Sequence, residues 1–273
     1  MAKFLFQEKE VFYLIEGEGE PILLLNGIMM STKSWQPFVS SLTERNTLIR
    51  VDFFDQGQST KLLGETYSQA IQVALIEALL NHLHIEKTHM VGISYGGEIA
   101  IQFAIQYPKR VNRLVLFNTT AYTSPWLKDI GRGWIAAGKT RDGLHYYQTT
   151  IPVIYSPHFY EEQIAWMKRR EGVLVPIFST PDFLDQMERL ILSAEPYDVR
   201  EELHLIEAKT LLVSAEMDYL TPVDNQELVY QKLRFKDWVK IPFAGHASMY
   251  EKPMLFTALV LGYLNVKDST YAI

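Results

Sequence analysis

Two hydrophobic periods alternate along the chain. Short runs rich in β-branched and aromatic residues occur around Phe4 and then as VFYLI (11–15), ILLLN (22–26), TLIRVD (47–52), HMVGI (89–93), RLVLFN (113–118), TLLVSA (210–215) and WVKIP (238–242). After the third, most are continuous apolar runs, the pattern of strands covered on both faces. Helical spacing fills the gaps. In YSQAIQVALIEALLNHL, Ile71, Leu75, Ala78, Leu79 and His82 fall near one face. In GGEIAIQFAIQY, Ile99, Phe103 and Ala104 do the same, and Pro108 ends the pattern. Alternating strand and helix predicts an α/β core, a mostly parallel eight-stranded sheet with helices on both sides. The first two strands, joined by the polar QEKE, predict an antiparallel hairpin at the sheet edge.

From about Thr119 to Ile206 the alternation stops. Trp126, Trp134, Tyr146, Tyr147, Tyr155, Phe159, Tyr160, Trp166, Phe178 and Phe183 lie there, broken by Pro125, Pro152, Pro157, Pro176, Pro181 and Pro196. This predicts several short helices separated by prolines, a lobe (119–206) inserted into a core made of residues 1–118 and 207–273. The apolar run MLFTALVLGYL (254–264) is far shorter than the roughly 20 residues a membrane span needs, and predicts a buried helix.

Composition narrows the function. A hydrophobic fraction of 48% fits a compact core, while a formal net charge of −6 with no basic stripe argues against a sequence-independent nucleic-acid binder. The absence of cysteine excludes disulfides, thiolate catalysis and cysteine-bound metals. MAKFLFQEKE turns acidic after six residues and lacks a long apolar centre. It is a poor signal peptide, and cytoplasmic residence is the default expectation.

The chemistry concentrates in VGISYGGEIA (91–100), where Gly92-Ile93-Ser94-Tyr95-Gly96 fits G-x-S-x-G between an expected strand and an expected helix. A serine on so sharp a corner has strained backbone geometry, and side chains two residues before and after it would collide. Glycine at both places removes the clash and lifts the hydroxyl above the carboxyl edge of the sheet. There the positive helix end faces a developing negative charge. A nucleophilic serine needs a base, and the base an orienting acid. Asp218, just past the strand TLLVSA, and His246, just past WVKIP, supply them in the order Ser, Asp, His. One helix crossover between them, residues 222–234, brings both to the edge that carries Ser94.

LLLNGIMMSTKSW, VDFFDQGQST, MVGISYGGEIA, VSAEMDYLTP and AGHASM together resemble the α/β-hydrolase superfamily, in particular its cap-bearing serine hydrolases: carboxylesterases, lactonases and carbon–carbon bond hydrolases. The resemblance implies Ser94 as nucleophile, His246 as general base and then acid, and Asp218 as its orienter. It implies an oxyanion hole from the backbone N–H groups of Ile28 and Tyr95, with no cofactor and no metal. The chain departs from the family twice: Asn26-Gly27 replaces the usual His-Gly, and Phe54-Asp55 an Arg-Gly type pair.

Each residue also has a structural reading. Ser94 fits an ordinary helix cap. Glu216 and Asp224 rival Asp218 as the acid, although Glu216 lies nearer the strand end and Asp224 suits a first helical turn. His82 and His84 complement a helix end, and with His89 they lack the carboxylates of a metal site. His145, His158 and His204 read as packed or surface residues. Most of the lobe aromatics build its interior, leaving Trp126, Trp134 and Trp166 as candidates to line a pocket over Ser94. Asn118-Thr119-Thr120 matches a glycosylation acceptor, which has little meaning without an export signal.

The leading function is a cofactor-independent hydrolase of a small, largely apolar ester, thioester or lactone. Carbon–carbon cleavage and acyl transfer would use the same triad. Dehalogenase and epoxide hydrolase chemistry would need a carboxylate in place of Ser94. A ligand-binding or signalling module with slow turnover, or a scaffold with an unreactive Ser94, is the alternative from another class.

Overall fold

The computed structural model describes residues 2–266. Its strands and helices follow in the order β1 (Ala2–Phe6), β2 (Lys9–Glu16), β3 (Glu20–Leu25), α1 (Val39–Leu42), β4 (Asn46–Val51), α2 (Ala70–His82), β5 (Thr88–Ile93), α3 (Tyr95–Gln106) and β6 (Val111–Phe117). There follow α4 (Pro125–Lys139), α5 (Gly143–Ile154), α6 (Pro157–Glu162), α7 (Ile164–Phe178) and α8 (Pro181–Ala194). The chain then continues through β7 (Lys209–Ala215), α9 (Val223–Lys232), β8 (Lys236–Ile241), α10 (Ser248–Glu251) and α11 (Pro253–Leu264).

All eight expected runs are strands of one sheet, ordered β1-β2-β4-β3-β5-β6-β7-β8. Only β2 opposes the common direction, pairing antiparallel with both β1 and β4. The β1–β2 hairpin turns on Gln7 and Glu8, whose φ angles of 50° and 62° are the left-handed pair that a two-residue turn of this twist requires.

Alternation along the strands sorts the core into two layers. Leu23, Leu25, Met90, Leu114, Leu116 and Leu212 face α2, α3 and α9. Ile22, Leu24, Val91, Val115, Leu211 and Val213 face the opposite side, where Trp35, Phe38 and Leu42 meet Phe256, Val260 and Leu264 of α11. The expectation that α11 is buried holds for this one stripe, spaced four residues apart. Met254, 86% exposed, and Leu255 lie outside it. No helix among the described residues is long and apolar enough to cross a membrane.

The stretch between β6 and β7 carries α4 to α8. Ser124 and Ser156 cap α4 and α6 by accepting from the N–H groups of Leu127 and Phe159, and Pro125, Pro157 and Pro181 sit where a helix needs no N–H donor. Pro152 and Pro176 correct the expectation that prolines separate the helices. They lie within the last turns of α5 and α7, where the missing N–H removes a bond close to the helix end. The two ends of the stretch are stitched together: Thr123 N–H donates to the Tyr197 carbonyl and Val199 N–H to the Ala121 carbonyl, both at 2.9 Å.

Asp55, the departure noted in DFFDQGQS, anchors these helices to the sheet side. It is fully buried, and its carboxylate takes both Nη2 (2.6 Å) and Nε (3.0 Å) of Arg189 on α8, together with the Tyr67 hydroxyl (2.7 Å) and Leu62 N–H (3.1 Å).

Urea unfolding of three variants checks these assignments. Phe256→Ala should cost about 3–5 kcal/mol, and Met254→Ala should change stability by no more than about 0.5 kcal/mol. Arg189→Ala, which strands the buried Asp55 carboxylate, should cost about 3–5 kcal/mol.

Candidate active site

Ser94 stands between the end of β5 and the start of α3 with φ 53° and ψ −123°. Its N–H donates to the Phe117 carbonyl (3.0 Å), and its own carbonyl accepts from Gly97 N–H, Glu98 N–H and the Thr119 hydroxyl (2.8, 3.0 and 2.9 Å). The strained residue is thus fixed from both neighbouring elements. The glycines provide space rather than unusual dihedrals. A Cβ on Gly92 would lie 2.6 Å from the Gly96 carbonyl oxygen, and one on Gly96 only 2.2 Å from that of Leu25. A third contact was not evident from the motif: a Cβ on Gly97 would strike the Thr119 side chain at 2.6 Å.

Asp218 and His246 meet in the loops after β7 and β8. Asp218 Oδ1 accepts from Leu220 N–H (2.8 Å) and Thr221 N–H (2.9 Å), and Oδ2 from the Thr221 hydroxyl (2.8 Å). His246 Nδ1 lies 2.8 Å from Oδ2. A carboxylate only accepts, so Nδ1 carries the hydrogen and Nε2 is left with its lone pair. The rival acids Glu216 and Asp224 are both exposed. Asp218, by contrast, is buried.

One cavity is lined by Ser94, His246, Ile28 and Tyr95. Tyr95 opens α3, a position whose N–H has no acceptor within the helix. The loop bearing Ile28 is held by a residue that sequence reasoning did not single out. Gln56 Nε2 donates to the carbonyls of Gly27 (2.9 Å) and Ile28 (3.2 Å), while its Oε1 takes Asn26 Nδ2 (3.0 Å). Asn26 also donates to the Val51 carbonyl (2.8 Å) and accepts from Trp35 Nε1 (2.7 Å). Where the family carries histidine, asparagine knits this loop to its neighbours.

The His246 loop is clamped as well. Asn118, the glycosylation match, is fully buried with φ 46°. Its Nδ2 donates to the His246 carbonyl (2.7 Å) and to Ser248 Oγ (2.9 Å). From the inserted helices, Ala247 N–H reaches the Ile154 carbonyl (3.0 Å). The Glu251 carboxylate binds Gly245 N–H (3.1 Å), Ser156 N–H (2.8 Å) and the Ser156 hydroxyl (2.7 Å).

Of the three tryptophans considered as pocket residues, Trp134 lines the cavity, with Leu127, Ile130, Ile151, Leu174 and Phe178. Trp126 instead lies exposed with Nε1 on the Tyr219 carbonyl (2.7 Å), and Trp166 packs against Tyr155 and Phe159. Lys128, Arg170, Glu98 and Glu195 complete the lining. The Arg170 guanidinium sits over the rings of Trp166 and Tyr250, 5.3 and 4.8 Å from their centroids. The Glu98 carboxyl is buried, and burial pushes its pKa up to about 7 against the pull of a Gln69 hydrogen bond and of His246.

The remaining histidines are elsewhere. His82 stacks on Phe4, His89 Nε2 meets Glu20 at 2.8 Å, and His84, His145, His158 and His204 are exposed. Among the described residues, no three His, Cys, Asp or Glu side chains are grouped so as to hold a metal ion.

A family model described as alpha/beta hydrolase fold matches residues 20–253, and the chain belongs to that family. It is a hydrolase. MGS-M2, an alpha/beta hydrolase enzyme from a Medee basin deep-sea metagenome library, is 50% identical, with a TM-score of 0.97 and 100% of each chain covered. The "Putative carbamate hydrolase RutD" of Azorhizobium caulinodans is 26% identical over 96% of this chain and 97% of its own length. The "Putative 2-succinyl-6-hydroxy-2,4-cyclohexadiene-1-carboxylate synthase" of Bacillus subtilis is 29% identical over 93% and 95%.

Glu98 leaves a signature in stability. Its pKa rises from 4.5 to about 7 on folding, so between those values the native protein holds a proton that the unfolded chain has released. This contribution is complete below pH 4.5 and is lost as pH rises through 7. The difference in Tm between wild type and Glu98→Gln, scanned from pH 4 to 8, should therefore move against wild type across that window.

Proposed function

We propose that this protein is a serine hydrolase of small, largely apolar esters, thioesters or lactones. Ser94 Oγ attacks the substrate carbonyl, His246 Nε2 takes its proton, and Asp218 holds the imidazole in the required tautomer and stabilises the imidazolium. The N–H groups of Ile28 and Tyr95 hold the tetrahedral oxyanion. His246 then returns the proton to the leaving group and activates the water that releases the acid. The observation that carries this reading is the strained Ser94 on a cavity shared with His246, whose other ring nitrogen is engaged by the buried Asp218. We also read residues 119–206 as a cap over a core of 1–118 and 207–273. Its apolar lining residues favour an apolar substrate body. A cysteine-free chain fits a reducing compartment such as the cytoplasm.

A carbamate is the second substrate class, favoured by the name and near-complete coverage of the Azorhizobium relative. Its carbonyl would be attacked in the same way.

Intact mass after exposure to a fluorophosphonate tests the reading. One adduct on the wild type and none on Ser94→Ala is the expected result, and an unlabelled wild type that is folded would overturn it. On an ester panel, Ser94→Ala and His246→Ala should lower kcat by about 10⁵–10⁶-fold, and Asp218→Asn by about 10⁴-fold. Near-wild-type turnover in Asp218→Asn would remove it from the triad.

A further inference from the structure

The proposed mechanism has no use for Glu98, yet this carboxyl lies four residues after Ser94, in the first turn of α3, and lines the same cavity. It is 4% exposed, and no lysine or arginine among the described residues forms an ion pair with it. Gln69 Nε2 donates to Oε2 at 2.5 Å. The direction of that bond is fixed one step further out, because Gln102 Nε2 donates to Gln69 Oε1 (2.7 Å) and turns the Gln69 amide nitrogen toward Glu98. Oε1 of Glu98 accepts no hydrogen bond among the described residues. This oxygen is not among the buried polar atoms left without a partner, so it is open to the cavity, and a carboxyl so placed without a cation is satisfied by a donor that enters there. Lys128, Arg170 and Glu195 also line the cavity, but none of them is hydrogen-bonded to Glu98, which leaves a substrate group as the donor that can reach it.

We propose that Glu98 is a specificity-determining subsite: its free oxygen accepts a hydrogen bond from an N–H or O–H group on the substrate. The preferred substrate is then an apolar ester or carbamate that carries a hydrogen-bond donor close to its reacting carbonyl. This deepens the hydrolase reading and rests on it for the identity of the reacting bond. A group with only an acceptor at that place meets the lone pairs of the carboxylate and is rejected. Charge on the carboxylate strengthens the bond to a donor, so discrimination grows as Glu98 ionises. His246 from the loop after β8, Tyr95 from its own helix and Tyr197 from the segment after α8 interact with it electrostatically, and Lys128 of α4, Arg170 of α7 and Glu195 after α8 share the cavity wall. Ionisation of His246 acts on every substrate alike and cancels in a ratio of two.

The test uses three p-nitrophenyl esters of nearly equal size: 3-hydroxybutanoate, 3-oxobutanoate and 3-methylbutanoate. The wild type should prefer the hydroxy ester to the oxo ester by about tenfold or more in kcat/KM at pH 8, with the methyl ester between them. That ratio should rise from pH 6 to 8. In Glu98→Gln, the fixed Gln69 donor claims the new amide oxygen and leaves an NH2 toward the cavity. The hydroxy-to-oxo ratio should then fall toward one and lose its pH dependence. A wild-type ratio near one, or a ratio unchanged in Glu98→Gln, would overturn the subsite. If fluorophosphonate still labels Ser94, the hydrolase reading survives that result. If labelling fails, calorimetric binding of 3-hydroxybutanamide against 3-oxobutanamide, in wild type and Glu98→Gln, tests the subsite without turnover. Equal affinities in the wild type would overturn it there too.

Discussion

The site depends on one close approach, that of Gly96 to the carbonyl of Leu25. No side chain fits between them, since a Cβ would stand 2.2 Å from that oxygen. Because β3 and β5 are neighbours in the sheet, the contact draws the start of α3 against the end of β3. The chain leaving β3 is the Asn26–Ile28 loop, so the packing that permits the elbow also delivers that loop to Ser94. The bonds of Gln56 to the Gly27 and Ile28 carbonyls then fix the peptide planes. In the proposed mechanism this leaves the Ile28 N–H little to reorganise when an oxyanion forms, which is what makes such donors effective.

Most of the architecture could be read from the chain because its signals are local. Continuous apolar runs mark strands buried on both faces, and G-x-S-x-G marks a corner whose steric demands are met within five residues. The order of Ser94, Asp218 and His246 could be read because each follows a recognisable strand. Other features could not, since they join residues far apart or of types with no local pattern. Asn118 looked like a glycosylation acceptor, yet it ties β6 to the loop after β8. Gln56 and Gln69 are uncharged amides whose roles appear only once their partners are in place. Asp55 stood out as a departure from the family without any hint that Arg189, distant in sequence, would meet it. The aromatics between β6 and β7 were only partly legible for a related reason. A tryptophan packs equally well into a helix interface or a cavity wall, and only the helix packing sends Trp134 to one and Trp166 to the other.

The inserted helices and the sheet side are joined by charge at two distant points. Arg189 of α8 reaches Asp55 beside the sheet, while Glu251 of α10 holds Ser156, the cap residue of α6. The second clamp also fixes Gly245, next to His246, so the helices that wall the cavity take part in positioning the histidine. The cavity wall and the imidazole therefore share one set of supports. A change in the insert that shifts Ser156 acts on His246 as well as on the pocket.

The Asp55–Arg189 pair has a consequence for how the molecule comes apart. Peeling the insert from the sheet would leave Asp55, fully buried, without its cation, and a partly open form carries that penalty until its surroundings also admit water. Independent melting of the two parts is thereby disfavoured. The pair couples insert and sheet energetically, so releasing the stretch between β6 and β7 alone costs more than its apolar contacts would imply.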